Sequence, residues 1–321
     1  MLKRKTTQFF FGAIKLLIAI GVISFVFFRV SEQEISVDSI LNQLDTTSTI
    51  SGLFLTGILL FTVLNWMLEI KKWQLLSGIV QSYSFAQTAF IALVGHAAAI
   101  ITPLKAGEYT AKAYYADAGH RKKISFLTFY GNVQQMGATL IFGAIGCGIF
   151  TYYFYYEYLA YVVLAICALL AVLWGLKHVI WNIAAAFKHF SVDRIRLFLK
   201  TTPRNIKKNT LHLSLLRYLV FAHQFYFLLL IFQVELPYLL VMSGIFLTYL
   251  ISSITPILSM FDIVLKVGIA ISIFTFMGAE ELAVLCATTL MWGLNFILPA
   301  IVGSILLGLF SITTTTLKTY P

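Results

Sequence analysis

The residues most suited to chemistry in this chain are charged pairs that occur once in each half, inside otherwise apolar sequence. In each half a proline breaks an apolar run, and an acid and a lysine four residues apart follow it. The members are Pro103, Glu108 and Lys112 in the first half and Pro256, Asp262 and Lys266 in the second. Charged side chains inside a membrane face a cavity or one another. Broken helices repeated in both halves of a transporter mark its binding site. The repeat therefore predicts the substrate site of a carrier.

The spacing of each acid and lysine leaves two interpretations open. Residues four apart lie on one face of a helix, and the order with the acid first is the favourable one. Each pair can therefore neutralise itself at depth, with no further role. Alternatively, the two halves meet in one polar cavity, where Glu108 could pair with Lys266 and Asp262 with Lys112. The recurrence of the whole pattern favours the shared cavity.

Several residues near the charged pairs could shape or line such a cavity. Gly107 permits close backbone approach, and a proline removes one helical hydrogen bond. Freed carbonyls and a half-helix N-terminus could then hold an ionic group. Asn132 and Gln135 share one face of the next span, where they line the cavity or bond between helices. The candidate substrate-binding residues are therefore Glu108, Lys112, Asp262, Lys266, Pro103, Gly107, Pro256, Asn132 and Gln135.

The composition of the chain indicates an integral membrane protein made of helices. Of its 321 residues, 60% are hydrophobic and only 11% are charged, whereas soluble domains carry roughly a quarter charged residues. The mean hydropathy is +0.88. Several apolar runs approach the roughly 20 residues that a helix needs to cross a bilayer. We expect an all-α polytopic protein in which residues 1–321 form a single membrane domain.

The distribution of basic residues predicts how the helices are threaded, because cytoplasmic loops are rich in lysine and arginine. Six full spans are expected at 8–28, 50–70, 124–150, 158–176, 211–232 and 281–309. Two re-entrant helical hairpins are expected at 85–118 and 237–277, the first entering from the cytoplasm and the second from outside. Opposite orientation of the two hairpins is the arrangement of an inverted repeat. At the inner end of the second span, we expect Glu69 to pair with Lys72 at the interface.

The net charge of +10 is concentrated in connecting segments, so we expect no nucleic-acid partner. Residues 177–210 form a basic cytoplasmic connection, which divides the chain into a first half, 1–176, and a second half, 211–321. Such a segment is attracted to anionic lipid. Both termini are expected in the cytoplasm.

The chain carries no motif of a familiar membrane enzyme. A His-Glu-x-x-His zinc motif, a nucleophile elbow and a phosphate-binding loop are missing from the sequence. Its three cysteines fall in apolar runs without metal-ligand spacing. We therefore expect no enzymatic activity, no cofactor and no metal site.

Three short elements carry a resemblance to a known family. They are Lys72-Trp73 at the end of the second span, the segment Pro-Leu-Lys-Ala-Gly-Glu at 103–108, and the proline-led segment 256–270. With the hydropathy layout, they make the chain similar to the flippase-like transmembrane family related to the membrane region of lysylphosphatidylglycerol synthetases. Where many relatives have a charged glutamate-arginine element, this chain has Asn-Val-Gln-Gln at 132–135.

The resemblance implies a role in moving lipids or lipid-linked headgroups across a bacterial cytoplasmic membrane. It places Glu108 in the candidate site, with Pro103 and Gly107 setting the shape of the element. The expected partners are membrane lipids with anionic headgroups, and the oligomeric state is open. The alternative is a non-transporting membrane scaffold or accessory subunit of an envelope biogenesis complex.

Overall fold

The structure, a computed structural model, describes residues 52–100, 102, 105–164, 202–255 and 262–309, and these residues form helices and no strand. The all-α fold class is therefore confirmed. Several predicted features lie outside the described residues: the span 8–28, most of the span 158–176, residues 177–201 of the basic connection, and both motif prolines, Pro103 and Pro256.

Nine α-helices lie wholly within the described part of the chain, and a further helical stretch occupies residues 159–164. In the first half they are α1 (Gly52–Ser77), α2 (Phe85–Ile100), α3 (Ala106–Tyr114) and α4 (Arg121–Phe154), followed by a short 3₁₀ turn at Tyr156–Tyr158. In the second half they are α5 (Arg204–Ile231), α6 (Tyr238–Ile254), α7 (Asp262–Phe276), α8 (Glu281–Trp292) and α9 (Leu298–Leu309). A five-residue π-helical turn, Gly293–Ile297, joins α8 to α9.

Three of the described helical segments are long and apolar enough to cross a membrane. They are α4 with 34 residues, α5 with 28, and the continuous segment from α8 to α9 with 29. At 1.5 Å per residue they measure about 51, 42 and 44 Å, whereas a bilayer core is about 30 Å thick. The protein thus has the helices of an integral membrane protein, although these segments do not fix the number of spans at six.

Helices α2 and α3 form an antiparallel helical hairpin, which we call hairpin 1. Along it, the rings of Phe90 and Tyr115 lie 5.4 Å apart, and Gly107 contacts Ala98 near the turn. A Cβ atom on Gly107 would lie 2.1 Å from the Ala98 carbonyl oxygen. The expectation that Gly107 permits close backbone approach is therefore confirmed. With only nine residues, α3 is about 14 Å long.

Helices α6 and α7 form the second pair, which we call hairpin 2. Gly244 of α6 faces Phe274 and Met277 at the far end of α7. Hairpin 2 is seated in the main hydrophobic core, where Phe225, Ile245 and Phe274 are almost fully buried. This core joins α1, α4, α5, α6, α7 and α8.

Glycine contacts hold each hairpin against a long helix. Helix α6 crosses α4 at Gly143 and Gly146, where an added Cβ would lie 2.8 Å from Leu250 and 2.7 Å from Phe246. Helix α2 crosses α9 at Gly303, where a Cβ would lie 2.2 Å from the Leu93 carbonyl oxygen. Small residues allow membrane helices to approach this closely. The long helices thereby fix the two hairpins on either side of a central cavity.

Candidate functional site

The candidate site is a cavity of about 430 Å³ that both hairpins line. Hairpin 1 contributes Glu108 and Lys112, and hairpin 2 contributes Asp262 and Lys266. The remaining wall comes from α1, α4, α5 and the region around the π-helical turn. The structure thus places all four charged residues of the repeated motif around one space. Their role in binding a substrate stays a prediction.

Each acid pairs with the lysine of its own helix. The Lys112 Nζ atom lies 2.7 Å from Glu108 Oε1, and Lys266 Nζ lies 2.5 Å from Asp262 Oδ2. The alternative pairing across the cavity, Glu108 with Lys266 and Asp262 with Lys112, is not formed in the described structure. The reason is geometric, because side chains four residues apart already meet on one helix face.

The two pairs differ in their exposure. The side chain of Lys112 is only 4% exposed, and its Nζ atom lies 4.4 Å from the ring centroid of Trp73 on α1. A cation over an aromatic face gains additional attraction. Asp262 and Lys266 are 22% and 24% exposed. The pair on hairpin 1 is therefore built into the wall, whereas the pair on hairpin 2 is open to the cavity.

The predicted polar residues of α4 have different places. Asn132 lines the cavity, and its Nδ2 atom donates to the Tyr109 hydroxyl at 3.2 Å and lies 3.5 Å from Glu108 Oε2. Gln135 instead donates to the Ser214 carbonyl and accepts from Arg217 Nη1, both at 3.4 Å. Asn132 thus belongs to the cavity wall, and Gln135 joins α4 to α5 behind it.

A buried charge cluster on α1 and α5 was not predicted as part of the site. Glu69 Oε2 lies 2.6 Å from Lys72 Nζ and 2.8 Å from Arg217 Nη1. The expected pairing of Glu69 with Lys72 is confirmed, but Lys72 is only 2% exposed, and Glu69 and Arg217 line the cavity. The missed signal was Arg217 itself, because a charge inside an apolar span marks a candidate functional site.

A chain of buried amides connects this cluster to the π-helical turn between α8 and α9. Arg217 Nε donates to Asn65 Oδ1 at 3.1 Å, and Asn65 Nδ2 donates to Asn295 Oδ1 at 2.8 Å. Asn295 Nδ2 donates to Gln224 Oε1 at 2.9 Å, and Gln224 Nε2 donates to the Thr62 hydroxyl at 2.7 Å. A fully satisfied network of this kind fixes one arrangement of the helices.

The π-helical turn brings hairpin 1 into contact with this region. His96 of α2 lies with its Nε2 atom 2.9 Å from the Phe296 carbonyl oxygen. A π-helical turn displaces the regular hydrogen-bond ladder and is frequent at functional sites. His96, Asn295 and Phe296 all line the cavity. The turn therefore provides a polar backbone group where hairpin 1 meets the last long helix.

Fold and site together define a helical membrane protein with a charged cavity between two helical hairpins. No protein-family model matches the chain, and no curated protein matches it significantly. The resemblance to the flippase-like family therefore stays a prediction. Within the described ranges, no three His, Cys, Asp or Glu side chains come together as metal ligands would.

Proposed function

We propose that this protein is a carrier that moves the polar headgroups of lipids or lipid-linked molecules across the membrane. In this proposal the headgroup occupies the cavity between hairpins 1 and 2. The observation that carries it is that Glu108 and Lys112 line the same cavity as Asp262 and Lys266. A pair that only neutralised itself would need neither a cavity nor a matching pair from the other half of the chain.

The depth of the polar residues supports this proposal. Arg217 lies about a third of the way along the span predicted at 211–232, and Asn295 lies halfway along the continuous segment from α8 to α9. If these helices span the bilayer, both residues lie within its hydrocarbon core. A charged residue there costs about 3 kcal/mol on insertion scales. Several such residues around a cavity are typical of a substrate pathway.

We further propose that both hairpins are re-entrant, that they enter from opposite faces, and that six full spans surround them. Helix α3 is about 14 Å long, less than half of the roughly 30 Å hydrocarbon core. Because α2 and α3 are antiparallel, hairpin 1 returns to the face from which it enters. Backbone that breaks at membrane depth is tolerated where it lines a cavity, as the tip of hairpin 1 does through Lys105.

The acyl chains of a lipid substrate need a lateral exit from the cavity. Three of the lining residues are exposed: Lys105 at the start of α3, Met136 on α4 and Ser253 near the end of α6. Met136 is 39% exposed on the apolar surface of α4. We place the exit there, between the hairpin tips and α4, so that the tails stay in lipid.

Transport can be tested by reconstituting the protein into vesicles and following labelled lipids from one leaflet to the other. The informative variant is Asp262→Asn with Lys266→Gln, because removing both partners of the more exposed pair leaves no unpaired charge. We expect wild type to accelerate crossing over empty vesicles. The double variant should slow it by roughly tenfold, equivalent to about 1.4 kcal/mol.

The matched control is Glu280→Gln with Lys71→Gln, which removes an exposed acid and an exposed lysine outside the cavity. In vesicles that contain this control variant, lipids should cross the membrane at the wild-type rate. If wild type fails to accelerate crossing for several headgroups, the carrier proposal is wrong. A scaffold role would then account for any envelope defect that loss of the protein causes.

A further inference from the structure

We infer that the cavity binds a phosphate-type oxyanion, held by Arg217 together with Lys105. This inference rests on the proposed function, because it names the chemical class of the substrate for the same site. It follows from the charge balance of the cavity, from the hydrogen bonds of Arg217 and from the position of Lys105.

The charges around the cavity do not balance among the described residues. The pairs Glu108–Lys112 and Asp262–Lys266 are each neutral. Glu69 is the single carboxylate between two cations, Lys72 and Arg217, so this cluster carries one surplus positive charge. A buried charge without a partner is unfavourable. An anionic ligand beside Arg217 would neutralise it.

Arg217 has donors to spare on its guanidinium group. Its Nε atom donates to Asn65 at 3.1 Å, and its Nη1 atom donates to Glu69 at 2.8 Å and to Gln135 at 3.4 Å. Its Nη2 atom makes no hydrogen bond to any residue that the structure describes. The side chain lines the cavity and is 23% exposed. Arg217 is therefore held in place by three side chains and has a free edge for an oxyanion.

Lys105 provides a second cation at the tip of hairpin 1. It lines the cavity and is exposed, and no carboxylate among the described residues lies within 4.0 Å of its Nζ atom. The residues near the hairpin tips that lie outside the described ranges are 101, 103–104 and 256–261. They contain no ionisable side chain. Lys105 adopts a left-handed conformation with φ of 56° just before α3. Its ammonium group is thus available to a ligand at the cavity mouth.

These two cations favour a phosphate over a cationic or neutral headgroup. A guanidinium group presents a planar fork that matches phosphate oxygens, and a lysine adds a mobile point charge. All three carboxylates on the wall already have a cation within 2.8 Å, so an ammonium group would find no free acid there. The volume of about 430 Å³ is within the usual range for a small-molecule site.

The inference can be tested by measuring ligand binding to the purified full-length protein. The probes are dioctanoylphosphatidylglycerol, dioctanoylglycerol with the same tails but no phosphate, and inorganic phosphate. Arg217→Gln is the main variant, because Glu69 keeps Lys72 as its partner and no carboxylate is left unpaired. Arg217→Lys keeps the charge without the fork, Lys105→Gln removes the second cation, and Lys71→Gln is the control, an exposed lysine outside the cavity.

We expect the wild-type protein and Lys71→Gln to bind the phospholipid equally. Neither protein should bind dioctanoylglycerol. Arg217→Gln should weaken binding of the phospholipid by about tenfold or more, because it removes hydrogen bonds between two charged groups. Arg217→Lys and Lys105→Gln should fall between. If inorganic phosphate competes with the lipid, free phosphate is a second source of the same oxyanion. Without competition, the lipid phosphodiester is the ligand.

Equal binding of dioctanoylglycerol and the phospholipid would overturn the inference, as would unchanged binding in Arg217→Gln. These failures differ from failure of the carrier proposal. If lipids cross the vesicle membrane regardless of headgroup charge, the carrier proposal survives and the oxyanion inference does not. If no lipid crosses but phospholipid binding depends on Arg217, the reverse holds.

Discussion

At the scale of single residues, the polar side chains of the cavity are of two kinds. Asn295 is buried and exchanges hydrogen bonds of 2.8 and 2.9 Å with Asn65 and Gln224. Asn132 is half-buried, and its contacts to Tyr109 and Glu108 are 3.2 and 3.5 Å long. Short, buried bonds hold the helices together, whereas long bonds on an open wall can be exchanged for bonds to a ligand.

This difference predicts opposite phenotypes for two alanine variants. Asn295→Ala leaves Asn65 Nδ2 and Gln224 Oε1 buried without partners, which costs about 1–3 kcal/mol for each group. We expect a clear drop in the melting temperature of the protein in detergent. Asn132→Ala should have a melting temperature close to that of wild type. In vesicles that contain this variant, lipids should cross the membrane more slowly. The interpretation fails if Asn132→Ala is the less stable of the two.

The sequence revealed the residues whose pattern is repeated, together with Asn132, but it missed Arg217 and Asn295. Glu108, Lys112, Asp262 and Lys266 stood out because the same spacing occurs in both halves. Arg217 and Asn295 have no such repeat, although each lies within a long apolar run. Their roles depend on partners in distant helices, which spacing along the chain does not show.

At the scale of helices, single glycines decide how hairpin 1 is held. Gly303 brings the backbone of α9 against α2, and Gly107 closes α3 onto α2. In both places the atom that a Cβ would meet is a backbone carbonyl oxygen, which cannot move aside as a side chain can. The position of hairpin 1, and with it one wall of the cavity, therefore depends on these contacts.

We predict that Gly303→Ala destabilises the protein by about 3 kcal/mol, at the upper end of the usual cost of overpacking. The added Cβ would lie 2.2 Å from the Leu93 carbonyl oxygen, so α9 and α2 must separate. Thermal unfolding in detergent measures this loss. Gly308→Ala in the same helix is the control, because nothing lies within 4 Å of its added Cβ. Equal melting temperatures for the two variants would show that the contact does not hold α2.

The apolar runs predicted which helices exist better than where they end. The first hairpin was expected over 85–118, and its helices are Phe85–Ile100 and Ala106–Tyr114. The span expected at 124–150 is a helix from Arg121 to Phe154. Hydropathy reports the part of a helix that lipid contacts, whereas the helix continues through polar residues at both ends. Hydropathy gave no indication of the π-helical turn. Its contact with His96 forms only in the folded protein.

At the scale of the whole molecule, both halves of the chain build one cavity. Hairpin 1 packs against the last long helix, and hairpin 2 packs against α4 of the first half. Each half therefore supports the hairpin of the other. The repeated motif predicted charges on both hairpins. Which lysine each acid pairs with was not predictable, because local pairs and pairs across the cavity both fit the same spacing.

The central claim, that the two hairpins share one cavity, is tested most directly by cross-linking their tips. Lys105→Cys and Thr255→Cys would be introduced after replacing the three native cysteines, Cys147, Cys167 and Cys286, with serine. A protease site would be inserted within 177–210. A thiol reagent long enough to span the cavity is added first, and the chain is then cut.

We predict that the two halves stay joined after cutting when Lys105→Cys is combined with Thr255→Cys, because both positions line the cavity. The halves should separate when Lys105→Cys is combined with Ile305→Cys, which is exposed and outside the cavity wall. If the first pair also separates, although each cysteine reacts with a single-ended thiol reagent, the hairpins do not face one cavity.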